Sequence, residues 1–192
     1  MTDYDVVVLG GGSAGATAAA AAHNSGARTL MINDGELGGL CILRGCMPTK
    51  SMLAAAHAIH EARHLEPFGA RLYGYIDVDF GKIAARKDGH VARFKKAKVD
   101  SINSSGYTVL DASGRFVEPS VVEAGGQRIR AKKFVIATGS VPASLPIPGI
   151  EDVPVWTSDD VMCLNEAPRR LLVQGGGAIG LELAQLFARI GS

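Results

Sequence analysis

Cys41 and Cys46 stand with four residues between them in the stretch Gly38-Gly39-Leu40-Cys41-Ile42-Leu43-Arg44-Gly45-Cys46-Met47-Pro48-Thr49-Lys50. Pro48 stands where a helix would begin, ahead of an Ala-rich helical run over residues 51–64. Proline is favoured in a first helical turn because its missing N–H would have lacked a partner there. Both thiols are therefore expected at or just before a helix N-terminus, where the dipole favours a thiolate; Arg44 and Lys50 add positive charge. This is the setting of a reactive thiol pair. Two plainer readings compete with it. A structural disulfide closing so small a loop would contribute only about 2 kcal/mol, and a reducing compartment would not keep it oxidised. Half of a zinc site would call for tighter spacing and a second ligand pair.

The flanking segments read as the elements that must position these thiols. Asp5-Val6-Val7-Val8-Leu9 is a continuous apolar run, the mark of a strand inside a parallel sheet. Gly10-Gly11-Gly12-Ser13-Ala14-Gly15 follows, then a predicted helix over residues 16–24 that closes at Gly26. In such a turn Gly10 reverses the chain, Gly12 lets backbone N–H groups approach a pyrophosphate, and Gly15 lets helix and strand pack closely. Ser13 and Ala14 open the helix whose N-terminus would face the phosphate charge. Thr29-Leu30-Met31-Ile32 is the second strand. At its end Asn33, followed by Asp34, occupies the place where an acid usually binds the adenosine ribose. Asn33 can exchange hydrogen bonds with a hydroxyl, but without charge assistance.

Further along, His57, His60 and His64 fall near one helical face and read as solvated polar positions rather than metal ligands. Residues 82–98 form an amphipathic basic helix with a solvated face; no interleaved aromatics suggest nucleic acid. Residues 107–135 read as a small antiparallel meander. Phe134-Val135-Ile136-Ala137-Thr138-Gly139-Ser140 reads as a buried strand running into a glycine turn, and residues 142–149 as a linker. Arg170-Leu171-Leu172-Val173-Gln174 is a further apolar strand, followed by Gly175-Gly176-Gly177-Ala178-Ile179-Gly180. Gly10, Gly12, Gly15, Ala19 and Gly26 match Gly175, Gly177, Gly180, Ala184 and Gly191 at a constant offset. Two strand–turn–helix phosphate sites imply two dinucleotides.

The stretch over residues 38–50 closely resembles the active-site signature of the flavin-dependent pyridine nucleotide-disulfide oxidoreductases, a group that includes dihydrolipoamide dehydrogenase, glutathione reductase and mercuric reductase. Ala137-Thr138-Gly139 is similar to the motif that closes the group's first flavin segment. The resemblance implies an α/β fold, an FAD/NAD(P)-binding Rossmann-like doubly wound parallel sheet with a small antiparallel meander. Residues 1–148 would form the first FAD segment, and residues 149–192 the start of an incomplete NAD(P) unit. FAD would lie against Gly10, Gly12, Ser13, Ala14, Gly15, Asn33, Asp34, Gly39, Leu40, Cys41, Lys50, Ala137, Thr138 and Gly139, and NAD(P)H against Gly175, Gly177, Ile179 and Gly180. It further implies electron flow from NAD(P)H through flavin to a Cys41–Cys46 disulfide. Cys41 would be the thiol that attacks substrate and Cys46 the thiol beside the flavin. Lys50 would sit at the flavin's reactive edge, paired with Glu182. Their plain reading is a surface lysine and a helix glutamate.

A disulfide, dithiol or mercuric ion is the implied substrate. Members of the group are longer homodimers whose partner subunit supplies a His-Glu pair, so the chain reads as the N-terminal part of a larger enzyme. Two other functions remain in view: a catalytically incompetent FAD-binding module, and a metal-binding protein using Cys41 and Cys46 as soft ligands. Composition narrows the field. A net charge of +1 argues against a nucleic-acid or membrane-surface partner on bulk charge, and no apolar run is long enough to span a bilayer. Three cysteines, two in one motif, do not form a secreted disulfide framework. With no signal-like segment before the first strand, the chain reads as cytoplasmic. Cys163 reads as incidental.

Overall fold

The computed structural model describes residues 2–143 and 146–192, so part of the expected linker, residues 144 and 145, lies outside the described residues. The chain divides into two compact units. The first comprises Met1–Leu43 and Arg93–Val141, the second Arg44–Ala92 and Pro142–Ser192.

The first unit carries a six-stranded mixed sheet in the order β3-β2-β1-β6-β5-β4. β1 (Thr2–Leu9), β2 (Thr29–Asn33) and β3 (Thr108–Asp111) run parallel, and β1 also pairs in parallel with β6 (Gln127–Ile136). β4 (Gly114–Glu118), β5 (Val121–Ala124) and β6 form an antiparallel meander. Apolar residues on both faces of the central strands produce two cores. Val8 and Met31 pack with Ala16 and Ala19 of α1 (Ser13–Asn24) and with Ile102. Val7, Leu9, Leu30 and Ile32 face the opposite way, onto Val122, Ala124, Ile129 and Ala131 of the meander. The sheet curls to achieve this: a Cβ built at Gly114 of β4 would lie 3.0 Å from Leu9 Cδ2 of β1.

The α/β architecture with parallel strands and a meander is as expected, with two differences in detail. β3 belongs to the parallel ladder rather than to the meander. The expected buried strand from Phe134 is the second half of β6, whose Phe134 and Val135 are half-buried and Ile136 exposed. One long strand serves both ladders because its N-terminal half exchanges bonds with β5 on one side while β1 pairs along the other.

The second unit is helical. α3 (Cys46–Arg63) packs on α6 (Ala178–Ile190) around Met52, Ala56, Leu183, Leu186 and Phe187, joined by Phe80, Val161 and Met162. α4 (Phe80–Asn103) gives residues 80–92 to this unit and residues 93–103 to the first. The expected strand over residues 170–174 does not form. That segment has no partner strand among the described residues and Leu172 is 89% exposed; an apolar run becomes a strand only where a ladder exists to pair with it. The basic face of α4 is also less solvated than expected. Lys87 is 5% exposed, its ammonium donating to the Met162 carbonyl just past α5 (Ser158–Val161), and Arg86 donates to Ser51 O at 3.0 Å. A helix C-terminus offers unpaired carbonyls, which draw a lysine into the unit.

Met31 is fully buried between β1, β3 and α1. Met31→Ala is expected to cost about 3 kcal/mol of unfolding free energy in a urea titration; a loss below about 1 kcal/mol would show that this core is not packed as described.

Candidate active site

The glycine turn after β1 is built by exclusion of side chains. Gly10 has φ +108°, open to glycine, and a Cβ there would lie 2.2 Å from Ala137 O. A Cβ at Gly15 would lie 1.8 Å from Gly10 O, and one at Gly39 would lie 2.5 Å from Gly12 Cα. Ala137 N–H donates to Leu9 O at 2.8 Å, and Gly38 N–H to Gly11 O at 3.4 Å. Gly10, Gly12 and Gly15, the Gly38-Gly39 pair and Ala137 thus converge at one corner of the first unit. Ser13 and Ala14 are exposed at the start of α1, and Leu40, Thr138 and Gly139 are exposed nearby in sequence.

Gly11 is a position that motif reading passed over. A Cβ there would fall 2.7 Å from Asn33 Oδ1 and 2.6 Å from Leu37 Cδ2. The run of three glycines was its signal. Asn33 itself is buried; its Oδ1 accepts from Gly11 N–H at 2.7 Å and its Nδ2 donates to Gly35 O at 2.7 Å. The side chain therefore ties the glycine turn to the loop after β2. Asp34 is exposed, and its Oδ2 accepts from Ser113 Oγ at 2.6 Å.

The cysteines fall on two helices. Cys41, half-buried, lies within α2 (Gly39–Leu43) of the first unit, inside a short helix rather than ahead of one. Cys46, exposed, is the first residue of α3 in the second unit. Pro48 lies two residues further on in the first turn, and Thr49 N–H makes the bond to Gly45 O at 3.1 Å. α1, α3 and α6 begin on Gly12, Gly45 and Gly177 with no side-chain cap and no acid in the first turn. α5 is the contrast: Thr157 and Asp160 form a reciprocal capping box, and the hydrogen bond from the Thr157 side chain holds the Asp160 carboxyl below its ordinary value. Three helices thus leave their N-terminal N–H groups open to an anion or thiolate.

Lys50, one turn into α3, donates to Glu182 Oε1 of α6. Arg44, just before α3, places Nε 3.2 Å from Asp159 Oδ2 of α5. The second glycine turn repeats the first in its backbone: Gly175 has φ +98°, and a Cβ at Gly180 would lie 2.5 Å from Gly175 O. Ile179 is exposed beside it. The rings of His60 on α3 and of His64 just past its end are 4.1 Å apart, and burial, then His64, lowers the His60 pKa. Among the described residues no three His, Cys, Asp or Glu side chains are placed to hold a metal ion.

The profile of the pyridine nucleotide-disulphide oxidoreductase family matches residues 4–192. The chain belongs to this family. A mercuric reductase of Staphylococcus aureus is 35% identical over 191 residues, covering 99% of this chain and 35% of that protein. A dihydrolipoyl dehydrogenase of Thermus scotoductus is 37% identical over 196 residues, covering all of this chain and 41% of that one. Among solved structures, the Cu(II) complex of the HOCl-induced flavoprotein disulfide reductase RclA from Escherichia coli superposes with a TM-score of 0.83 at 30% identity, over all of this chain and 41% of that one. The chain thus spans between about a third and two-fifths of the length of these relatives. The family's cofactors are FAD and NAD(P)H. A glycine corner closed to side chains, beside a helix start with no acid of its own, fits the pyrophosphate of such a dinucleotide.

Asn33→Ala removes both bonds of the tie and is expected to cost about 2 kcal/mol, with faster hydrogen exchange at the Gly11 amide by NMR. Asn33→Asp keeps the acceptor for Gly11 N–H but turns an oxygen on the Gly35 carbonyl, so it should protect Gly11 while still losing stability. Unchanged Gly11 exchange in the alanine variant would remove Asn33 from this role.

Proposed function

We propose that this chain supplies the first FAD segment and the redox cysteines of an oxidoreductase that uses NAD(P)H to reduce a disulfide or a mercuric ion. The observation that carries the reading is the convergence of Gly10, Gly12, Gly15, Gly39 and Ala137 at one corner, where Cβ atoms added at Gly10, Gly15 or Gly39 would strike backbone. Family membership and the signature over residues 38–50 support it. FAD, when bound, would supply the two-electron chemistry linking a nicotinamide to the cysteine pair.

The chain's own residues then have separate tasks. Gly10–Gly15 with Ser13 and Ala14 would hold the pyrophosphate through backbone N–H groups, and Asn33 and Asp34 would bound the adenosine end. Gly39, Leu40, Thr138 and Gly139 would complete the flavin side. Cys41 would exchange with substrate, and Cys46, at the start of α3, would be the thiol beside the flavin. Lys50, anchored by Glu182, would present its ammonium beside the reacting ring. Gly175, Gly177, Ile179 and Gly180 would receive the nicotinamide dinucleotide. On this reading residues 1–148 are the FAD segment and residues 149–192 the start of the NAD(P) unit. The whole protein is then a cytoplasmic homodimer acting on a small-molecule or dithiol substrate. Among the described residues no helix is long and apolar enough to cross a membrane.

The purified chain, mixed with FAD and desalted, should keep a flavin absorbance spectrum. Anaerobic dithiol should add a long-wavelength band that Cys46→Ser abolishes. A colourless protein would overturn flavin binding by this chain, and a band that survives Cys46→Ser would move the flavin-side thiol elsewhere.

A further inference from the structure

α3 and α6 run the same way, since Lys50 meets Glu182 near their starts and Arg63 Nη1 donates to Arg189 O at 2.8 Å near their ends. Their last carbonyls therefore gather at one end of the second unit, where the helix dipoles favour cations. His60, in the last turn of α3, and His64, its C-cap, stand there with rings 4.1 Å apart and tilted by 36°. His60 is half-buried and His64 exposed. Spacing alone reads both as solvated positions, but one hydrogen bond sets their chemistry. His64 Nδ1 lies 2.7 Å from His60 O. A carbonyl only accepts, so Nδ1 carries the proton, and the Nε2 lone pair of the neutral ring is left for a ligand. Histidines that bind metals have their tautomer fixed by the same kind of bond to a backbone carbonyl. Neither ring nitrogen of His60 has a hydrogen-bond partner among the described residues. The neighbouring charges are engaged elsewhere: Arg63 on the Arg189 carbonyl, and Arg189 and Glu61 on His57, whose Nδ1 they approach at 3.4 and 3.8 Å.

We propose that His60 and His64 form a two-imidazole site for a divalent transition-metal ion at the C-terminal end of α3. Metal–imidazole bonds are about 2.0–2.1 Å long, so two imidazoles on one ion keep their donor nitrogens within about 4 Å of each other. The separation of these two rings is of that scale. Water fills the other positions, because no third His, Cys, Asp or Glu completes a cluster among the described residues. Neutral nitrogen donors select zinc, copper(II) or nickel over magnesium, calcium or manganese. An ion held by residues four apart also fastens the last turn of α3 to its cap. Cys46 is the first residue of the same helix, about 20 Å away along its axis. The site therefore uses neither the thiol pair nor a bound flavin.

The test is a calorimetric titration of nickel(II) chloride into the full chain and four variants. Nickel taken up by the three cysteines is common to all of them and cancels in the comparison. His60→Gln and His64→Gln should each weaken one site by about tenfold or more, whereas His57→Gln and His90→Gln should bind as the parent does. Nickel should also raise the urea midpoint of the parent and of His57→Gln, but of neither His60→Gln nor His64→Gln. Midpoints measured without metal separate a lost ligand from a lost fold, and His64, being exposed, carries the test if His60→Gln does not fold. Nickel affinity unchanged in both site variants, as thiol binding alone would give, would overturn the proposal. So would an equal loss in His57→Gln, or manganese(II) bound as tightly as nickel. A chain that binds no flavin would leave these titrations as they are, so this inference and the proposed function fail separately.

Discussion

The absence of room at Gly15 is the constraint on which the first unit depends. A Cβ there would overlap the Gly10 carbonyl, so α1 seats directly on the turn that leaves β1. Once helix and strand are that close, the remaining contacts follow. Ala137 closes on Gly10 because β6 runs parallel to β1 and ends level with it. Gly39 closes on Gly12, which brings the start of the cysteine segment to the same corner. Asn33, at the end of the neighbouring strand, fastens the turn from the other side. Backbone approaches of this kind tolerate no side chain, and they present N–H groups rather than carbon to whatever binds there.

The second unit repeats the turn without the sheet. Gly175 and Gly180 reproduce the positive φ and the close approach of Gly10 and Gly15, and α6 begins, like α1, on an uncapped glycine. Local glycine chemistry is therefore sufficient to set the strand-to-helix corner even where the preceding residues pair with no strand among those described. The strand is a different matter, because its hydrogen bonds are made to other segments.

Charge is arranged around the helix starts in two ways. α5 supplies its own acids and cap, whereas α1, α3 and α6 supply none and leave their N–H groups open. At α3 the open terminus carries Cys46, and the cations that flank it in sequence are each matched by a carboxylate from another helix, Asp159 or Glu182.

The sequence by itself determined the local chemistry. The two glycine turns, a helix start close to Pro48, β1, β2 and the family signature all follow from residue types at short spacing, because glycine φ, proline's missing N–H and apolar runs act within a few residues. Tertiary structure decided the partners. Lys87 reads as one more solvated lysine until α5 brings the Met162 carbonyl to it, and no local pattern shows that Asn33 ties Gly11 to Gly35 through both ends of its amide. β3 reads as meander until it pairs with β2, and the run over residues 170–174 reads as a strand but has no ladder to join among the described residues. Arg44 and Asp159 are separated by more than half the chain, and no local rule pairs them. Hydrogen bonds and ion pairs between distant segments depend on which surfaces the cores bring together, and that is a property of the packed chain rather than of any window along it.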